Sequence, residues 1–214
     1  MRDFLARGIY SRSDLLWLSN MIEKTESEKV FEEFCDLNKI QWEKIKEGEN
    51  PSPDYKAIFN GDIVYVEVKQ IDKDDKFSAH SYSRVVGSHI REKIKGARKQ
   101  VQAGSNQGAA SILLVYNNLD GLQMFGTQQH DFITAMYGEI TLTFDKKENR
   151  FTDYYHGRNH SFSDEKSTYF SAVGFLYRTK ESVGIRLYEN VFAKKKLDYS
   201  KVPDCIEVIK IGLE

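Results

Sequence analysis

The sequence is poor in cysteine and proline, shows no excess of either charge sign, and lacks any long apolar run. Only two cysteines, Cys35 and Cys205, occur in 214 residues. That excludes a disulfide scaffold and suits a reducing compartment, so a cytoplasmic protein is expected. Lys and Arg number 31 against 32 Asp and Glu, a formal net charge of −1. A chain that coats polyanions by bulk charge would be strongly basic, so any such binding must come from a local patch. No apolar stretch approaches the roughly 20 residues that span a bilayer. The opening MRDFLARGIYSRSD is broken by charge and holds no signal-peptide core, so no membrane partner is expected. There is no internal repeat or low-complexity tract, no P-loop, no dinucleotide fingerprint, and no local Ser/His/Asp or Cys/His motif.

What is present describes a folded chain. The hydrophobic share is 40% and the aromatic share 13%, too rich for intrinsic disorder. The length suits one domain over 1–214, with a core at about 20–118 and a C-terminal elaboration over 119–214. Two of the three prolines, Pro51 and Pro53, stand close together and mark a special place.

Hydrophobic periodicity predicts a helix over 20–38, capped by Asn20 with Glu23 or by Thr25 with Glu28. A short strand is expected over 41–46, then a turn at GENPSP. Strands over 55–59 and 62–69 flank Asn60-Gly61, the strongest short-range hairpin signal. A polar loop covers 71–82, and a helix follows over 84–103, its apolar stripe running through Ile90, Ile94, Ala97 and Val101. Ile112–Tyr116 reads as a buried central strand. A short helix over 128–137 and strands at 139–144, 169–177, 183–188 and 205–211 complete the pattern. The fold class is α/β, a mixed central sheet flanked by helices with a strand-rich C-terminal part.

The hairpin register points to chemistry. With Asn60-Gly61 as a two-residue loop, Phe59 faces Asp62 and, counting back, Asp54 faces Glu67. Facing side chains share one side of the sheet, with Cβ atoms about 4.5–5.5 Å apart. Lys69 lies two residues on and shares that side. The other side carries Tyr55, Ala57, Val64, Val66 and Val68. Two facing carboxylates repel, and a divalent cation between them reverses the sign. Lys69 could hold a water or stabilise charge developing on a phosphate. The bland alternative is a half-exposed hairpin with a Glu67–Lys69 ion pair. On the first helix, Glu28 sits at the edge of the apolar stripe and can reach toward the sheet, while Glu32 points to water. The bland role for Glu28 is capping.

At these residues the chain resembles the PD-(D/E)xK nuclease superfamily, with its restriction-endonuclease-like fold. The matching residues are Glu28, Pro53-Asp54, Glu67-Val68-Lys69, Gln70, and Lys93-Ile94 with Ala97 and Gln100. The resemblance covers about 20–118. It implies Mg²⁺-dependent hydrolysis of phosphodiester bonds, with Mn²⁺ an alternative cation. Asp54 and Glu67 would hold the metal, helped by the Val68 carbonyl and by Glu28. Lys69 would position or activate water. Gln70 alternates to the opposite face, against such a role.

The segment 84–101 carries six Lys or Arg against one acid. Arg84, Arg91, Lys95 and Arg98, with Gln100, form the expected nucleic-acid contact, DNA before RNA. A solvated helix face is the ordinary meaning of such a run. His156 and His160 are spaced as a metal pair but lack further ligands nearby and read as loop residues. Lys194–Lys196 reads as a basic surface loop. A homodimer is one option for assembly. The rival functions are a non-catalytic nucleic-acid-binding module and a protein-interaction module on the same fold.

Overall fold

In the computed structural model the described residues are 24–46, 48–73 and 83–212. The first helix, α1 (Glu26–Leu37), begins at Thr25, whose side chain and that of Glu28 cap each other's backbone N–H groups. The other candidate cap, Asn20 with Glu23, lies outside the described residues, as does the segment 74–82 of the expected polar loop. Next come β1 (Gln41–Lys44), β2 (Tyr55–Phe59) and β3 (Asp62–Ile71). Asn60 and Gly61 both have positive φ, 44° and 96°, as the two-residue turn requires.

Helix α2 spans Ser88–Ser105, four residues later than expected. Gly87 delays it. Its φ is +74°, and a Cβ there would meet backbone atoms of Asp131 and Ala135 at 2.9 Å. Only glycine fits this start. Strand β4 (Ala110–Asn117) is buried throughout. Helix α3 (Gln129–Tyr137) leads to β5 (Ile140–Asp145) and β6 (Arg150–His156). The chain ends through β7 (Ala172–Arg178), β8 (Val183–Glu189) and β9 (Ile206–Ile209).

Among the described residues, seven strands form one mixed sheet in the order β1-β2-β3-β4-β7-β8-β9, while β5 and β6 pair in a small separate sheet. β3, β4 and β7 run parallel, and β1–β2–β3 is an antiparallel meander. The sheet separates two apolar layers. One side packs Val30, Phe31 and Phe34 of α1 onto Tyr55, Val66 and Val68. The other packs Ile90, Ile94, Ala97 and Val101 of α2 onto Leu113 and Val115. Burial on both faces explains why β4 reads as a continuous apolar run. Strand β6 is a correction: His156, expected in a loop, closes a strand opposite Ile140, while His160 does lie in a loop. No helix among the described residues is long and apolar enough to cross a membrane.

Candidate active site

The hairpin register is the one the turn dictates, with Phe59 opposite Asp62 and Tyr55 opposite Val66. One step further, Asp54 stands at the mouth of β2 beside Glu67. Its Oδ2 accepts the N–H of Val68 at 2.8 Å. Continuing the ladder would set Pro53 against Val68, and proline has no N–H to donate to the Val68 carbonyl. The strand pairing therefore stops where the acidic side chains begin.

Glu67 is 1% exposed. Its Oε1 lies 2.6 Å from Lys69 Nζ. Lys69 and the Asp54 backbone N–H both draw on this carboxylate, yet among the described residues its two oxygens keep acceptor capacity to spare. A buried carboxylate with spare acceptor capacity is costly unless something else satisfies it. Burial, and then the charge of Asp54, push the Glu67 carboxyl up to about 7, against the opposing pull of Lys69. Asp54 is also raised, by burial first, although the Val68 N–H and Lys69 oppose this. Burial works against the charge on Lys69, but Glu67, Asp54 and Glu28 outweigh it and raise its pKa.

Asp54, Glu67 and Lys69 line one open cleft of about 280 Å³, with Gln100 of α2 on its wall and Gly48–Ser52 along its rim. The Oε1 of Gln100 is buried there without a hydrogen-bond partner among the described residues. The cleft thus combines the Asp54 and Glu67 carboxylates, an ammonium and an amide oxygen, with Glu49 on its rim and room for solvent and part of a ligand. Such a donor set suits a hard divalent cation, which takes oxygen ligands. Among the described residues, no group of three or more His, Cys, Asp or Glu forms a metal cluster. The fit rests instead on two carboxylates plus the Val68 carbonyl.

Glu28 is placed differently. It is not among the residues lining the cleft. Its Oε2 accepts the Thr25 N–H at 2.8 Å, and its Oε1 pairs with Lys44 at 2.6 Å. Burial would raise its pKa, but Lys44 and Thr25 outweigh that and hold it below the ordinary value. The sequence reading missed Lys44, whose signal was only its place at the end of β1. Glu32 does not point into water. It accepts from the Tyr55 hydroxyl at 2.9 Å and pairs with Lys24 at 2.6 Å. Gln70 crosses to the α1 side, as strand alternation requires. Its Oε1 accepts the Ser27 N–H at 2.8 Å and so caps the N-terminus of α1 from the sheet.

The basic segment is also divided. Arg84 lies before α2, not on it. It makes a two-pronged pair with the buried Asp131, at 2.5 and 3.0 Å, and covers the Phe125 ring. Its charge belongs to the fold rather than to a phosphate stripe. Arg91 donates to the carbonyls of Val86 and Asn159, at 2.7 and 3.3 Å. Lys95 is exposed and Arg98 half-buried. At 3.6 residues per turn, Arg91, Lys95 and Arg98 occupy the flank of α2 opposite Gln100. Lys93, two turns before Gln100, shares the flank that opens on the cleft. The structure therefore joins Gln100 to the carboxylates but leaves the arginine stripe on the other flank.

The remaining candidates are structural. His156 and His160 have their Nδ1 atoms beside the carbonyls of Gly138 and Gly157, at 3.0 and 3.2 Å. Cys35 is buried and Cys205 exposed, both as free thiols. Comparison with protein-family models, curated proteins and solved structures yields no match.

Proposed function

We propose that this chain is a divalent-metal-dependent nuclease of the PD-(D/E)xK type, acting on DNA in the cytoplasm. The observation that carries this reading is the buried Glu67, paired with Lys69 and still with acceptor capacity to spare, beside Asp54 in one open cleft. Two adjacent raised carboxyls make an unfavourable apo arrangement that a cation would relieve. Asp54, Glu67 and the Val68 carbonyl would hold Mg²⁺ or Mn²⁺, and Gln100 stands within the same cleft. When bound, such a cation polarises a phosphoryl oxygen and lowers the pKa of water.

The chain's own part is positional. Asp54 is fixed by the Val68 N–H, so its second oxygen is free to turn toward the cleft. Lys69, kept protonated by its acidic neighbours, would orient an attacking water and neutralise charge developing on the phosphate. Glu28 supports this only at a distance, through the charge it contributes beside Lys69. Free thiols at Cys35 and Cys205 are consistent with a reducing compartment.

A second reading, a non-catalytic nucleic-acid-binding module, is favoured by the close Lys69–Glu67 pair, which partly neutralises the site from within. One panel separates the two. Duplex, single-stranded and branched DNA, and RNA, are incubated with Mg²⁺, Mn²⁺ or EDTA, using wild type and Glu67→Ala. Metal-dependent cleavage confined to wild type is expected. Cleavage that survives in Glu67→Ala would indicate contamination, and binding without cleavage under every metal would favour the second reading.

A further inference from the structure

The stretch Gly-Glu-Asn-Pro-Ser-Pro, 48–53, lies between β1 and β2. Its base is closed by the Ile45 N–H, which donates to the Asp54 carbonyl at 2.8 Å. The chain that leaves β1 therefore returns at Asp54 itself. Pro51 and Pro53 fix their own φ angles and narrow the path of that return. Glu49 is carried on it to the rim of the cleft that holds Asp54, Glu67 and Lys69.

Hydrolysis of a phosphodiester needs a group that takes a proton from the attacking water. Among side chains that means His, Glu, Asp, Lys, Tyr or Cys. Among the described residues no histidine, tyrosine or cysteine lines this cleft, and its titratable side chains are Glu49, Asp54, Glu67 and Lys69. Three of the four are engaged. On the nuclease reading Asp54 and Glu67 face the cation, and Asp54 is also held by the Val68 N–H at 2.8 Å. Lys69 donates to Glu67 at 2.6 Å, and a donating ammonium has no lone pair to offer. The amide of Gln100 can orient water but is not a base.

Glu49 is uncommitted. It is exposed, and among the described residues it makes no hydrogen bond or ion pair. It is not a third ligand, because Glu49, Asp54 and Glu67 do not close on a single ion. The cleft volume of about 280 Å³ has room for roughly nine waters at about 30 Å³ each. A water bound between Lys69 and the rim is thus open to Glu49.

We propose that Glu49 is the general base of this site, a catalytic residue that takes the proton of the attacking water. This rests on the nuclease reading. The water oxygen bonds to phosphorus as its O–H bond breaks toward the Glu49 carboxylate. The bond from phosphorus to the leaving sugar oxygen breaks with its electron pair on that oxygen, which takes a proton from solvent. Glu49 then gives its proton back to solvent. One diester and one water become one monoester and one alcohol, with nothing oxidised or reduced.

The test compares wild type, Glu49→Gln and Glu49→Asp by three measurements: Mn²⁺ calorimetry, anisotropy of duplex DNA in Ca²⁺, and single-turnover cleavage in Mg²⁺. Glu49→Gln should keep Mn²⁺ and DNA affinities within about twofold and lose at least about 100-fold in cleavage rate. Glu49→Asp should recover part of that rate. A merely structural role would move the affinities and would not be rescued by aspartate. Wild-type cleavage with Glu49→Gln within about threefold of it would overturn the proposal and leave the nuclease reading standing. A tenfold loss of Mn²⁺ affinity in Glu49→Gln would also overturn it, making Glu49 a ligand instead. No cleavage by wild type under any metal would overturn the nuclease reading and this proposal together.

Discussion

The Oδ2 of Asp54 accepts the Val68 N–H at 2.8 Å, across the mouth of the hairpin where Pro53 ends the ladder. One side chain therefore has two tasks: closing the strand and presenting a charge. The two separate by substitution. Asp54→Asn keeps an oxygen for the Val68 N–H but removes the charge. It should fold with stability within about 1 kcal/mol of wild type, while Mn²⁺ affinity falls at least tenfold by calorimetry. Asp54→Ala loses the hydrogen bond as well and should be less stable by about 1–2 kcal/mol in urea titration.

Glu67 makes stability depend on pH. Its folded pKa, about 7, lies above the ordinary carboxylate value of 4.5. Between those values the native state holds more protons than the unfolded state, so stability falls as pH rises. Asp54, also raised, acts in the same direction from lower pH. The loss from Glu67 is of the order of 3 kcal/mol and is complete about one pH unit above 7. Denaturation midpoints from pH 4.5 to 8 should fall for wild type and flatten for Glu67→Gln. Added Mg²⁺ should restore stability at high pH in wild type only.

Glu28 is occupied by the helix cap and by Lys44. Glu28→Gln should therefore leave Mn²⁺ affinity within about twofold of wild type. Thr25→Ala should lower stability by about 1 kcal/mol, the usual effect of losing an N-cap side chain. A tenfold loss of metal affinity in Glu28→Gln would return this residue to the metal site.

Much of this was legible in the sequence, for identifiable reasons. Asn60-Gly61 admits one turn geometry, and that turn sets every facing pair back to Asp54 and Glu67. The buried run at Ile112–Tyr116 and the stripe of α2 follow from periodicity alone. What escaped depends on tertiary packing. Whether Glu28 faces the cleft or Lys44 is decided by where β1 ends, which no spacing on α1 encodes. The Arg84–Asp131 pair spans 47 residues, and neither residue has a local signal. The contact of Gly87 with α3, which sets where α2 starts, is invisible in sequence. Strand β6 was missed because its polar residues and exposed face resemble a loop.

The two flanks of α2 should differ in their effect on DNA binding if the cleft takes a phosphate backbone. Lys93 shares the flank of Gln100, whereas Lys95 lies opposite. Lys93→Gln should weaken binding of duplex DNA in Ca²⁺ and reduce the slope of log K against log salt by about 1. Lys95→Gln should leave the slope unchanged. Fluorescence anisotropy over a salt series measures both. Equal losses would mean that the substrate lies across the crest of the helix.

Arg84 provides a test of structure against function within one residue. Asp131 is fully buried and receives, besides Arg84, the N–H groups of Gly87 and Gln128 at 3.0 and 3.1 Å. It thereby fastens the start of α2 to the start of α3. Arg84→Met strands a buried carboxylate and should destabilise the fold by about 3–5 kcal/mol. Asp131→Asn should cost less, because the amide oxygen still accepts hydrogen bonds and the Arg84 guanidinium stays partly in solvent over Phe125. The Arg84→Met/Asp131→Asn double variant should recover part of the loss, since no unpaired buried charge remains. The DNA affinity of the folded double variant should match wild type, because Arg84 has its partner inside the protein. A drop in affinity without a drop in stability would put Arg84 back on the nucleic-acid surface.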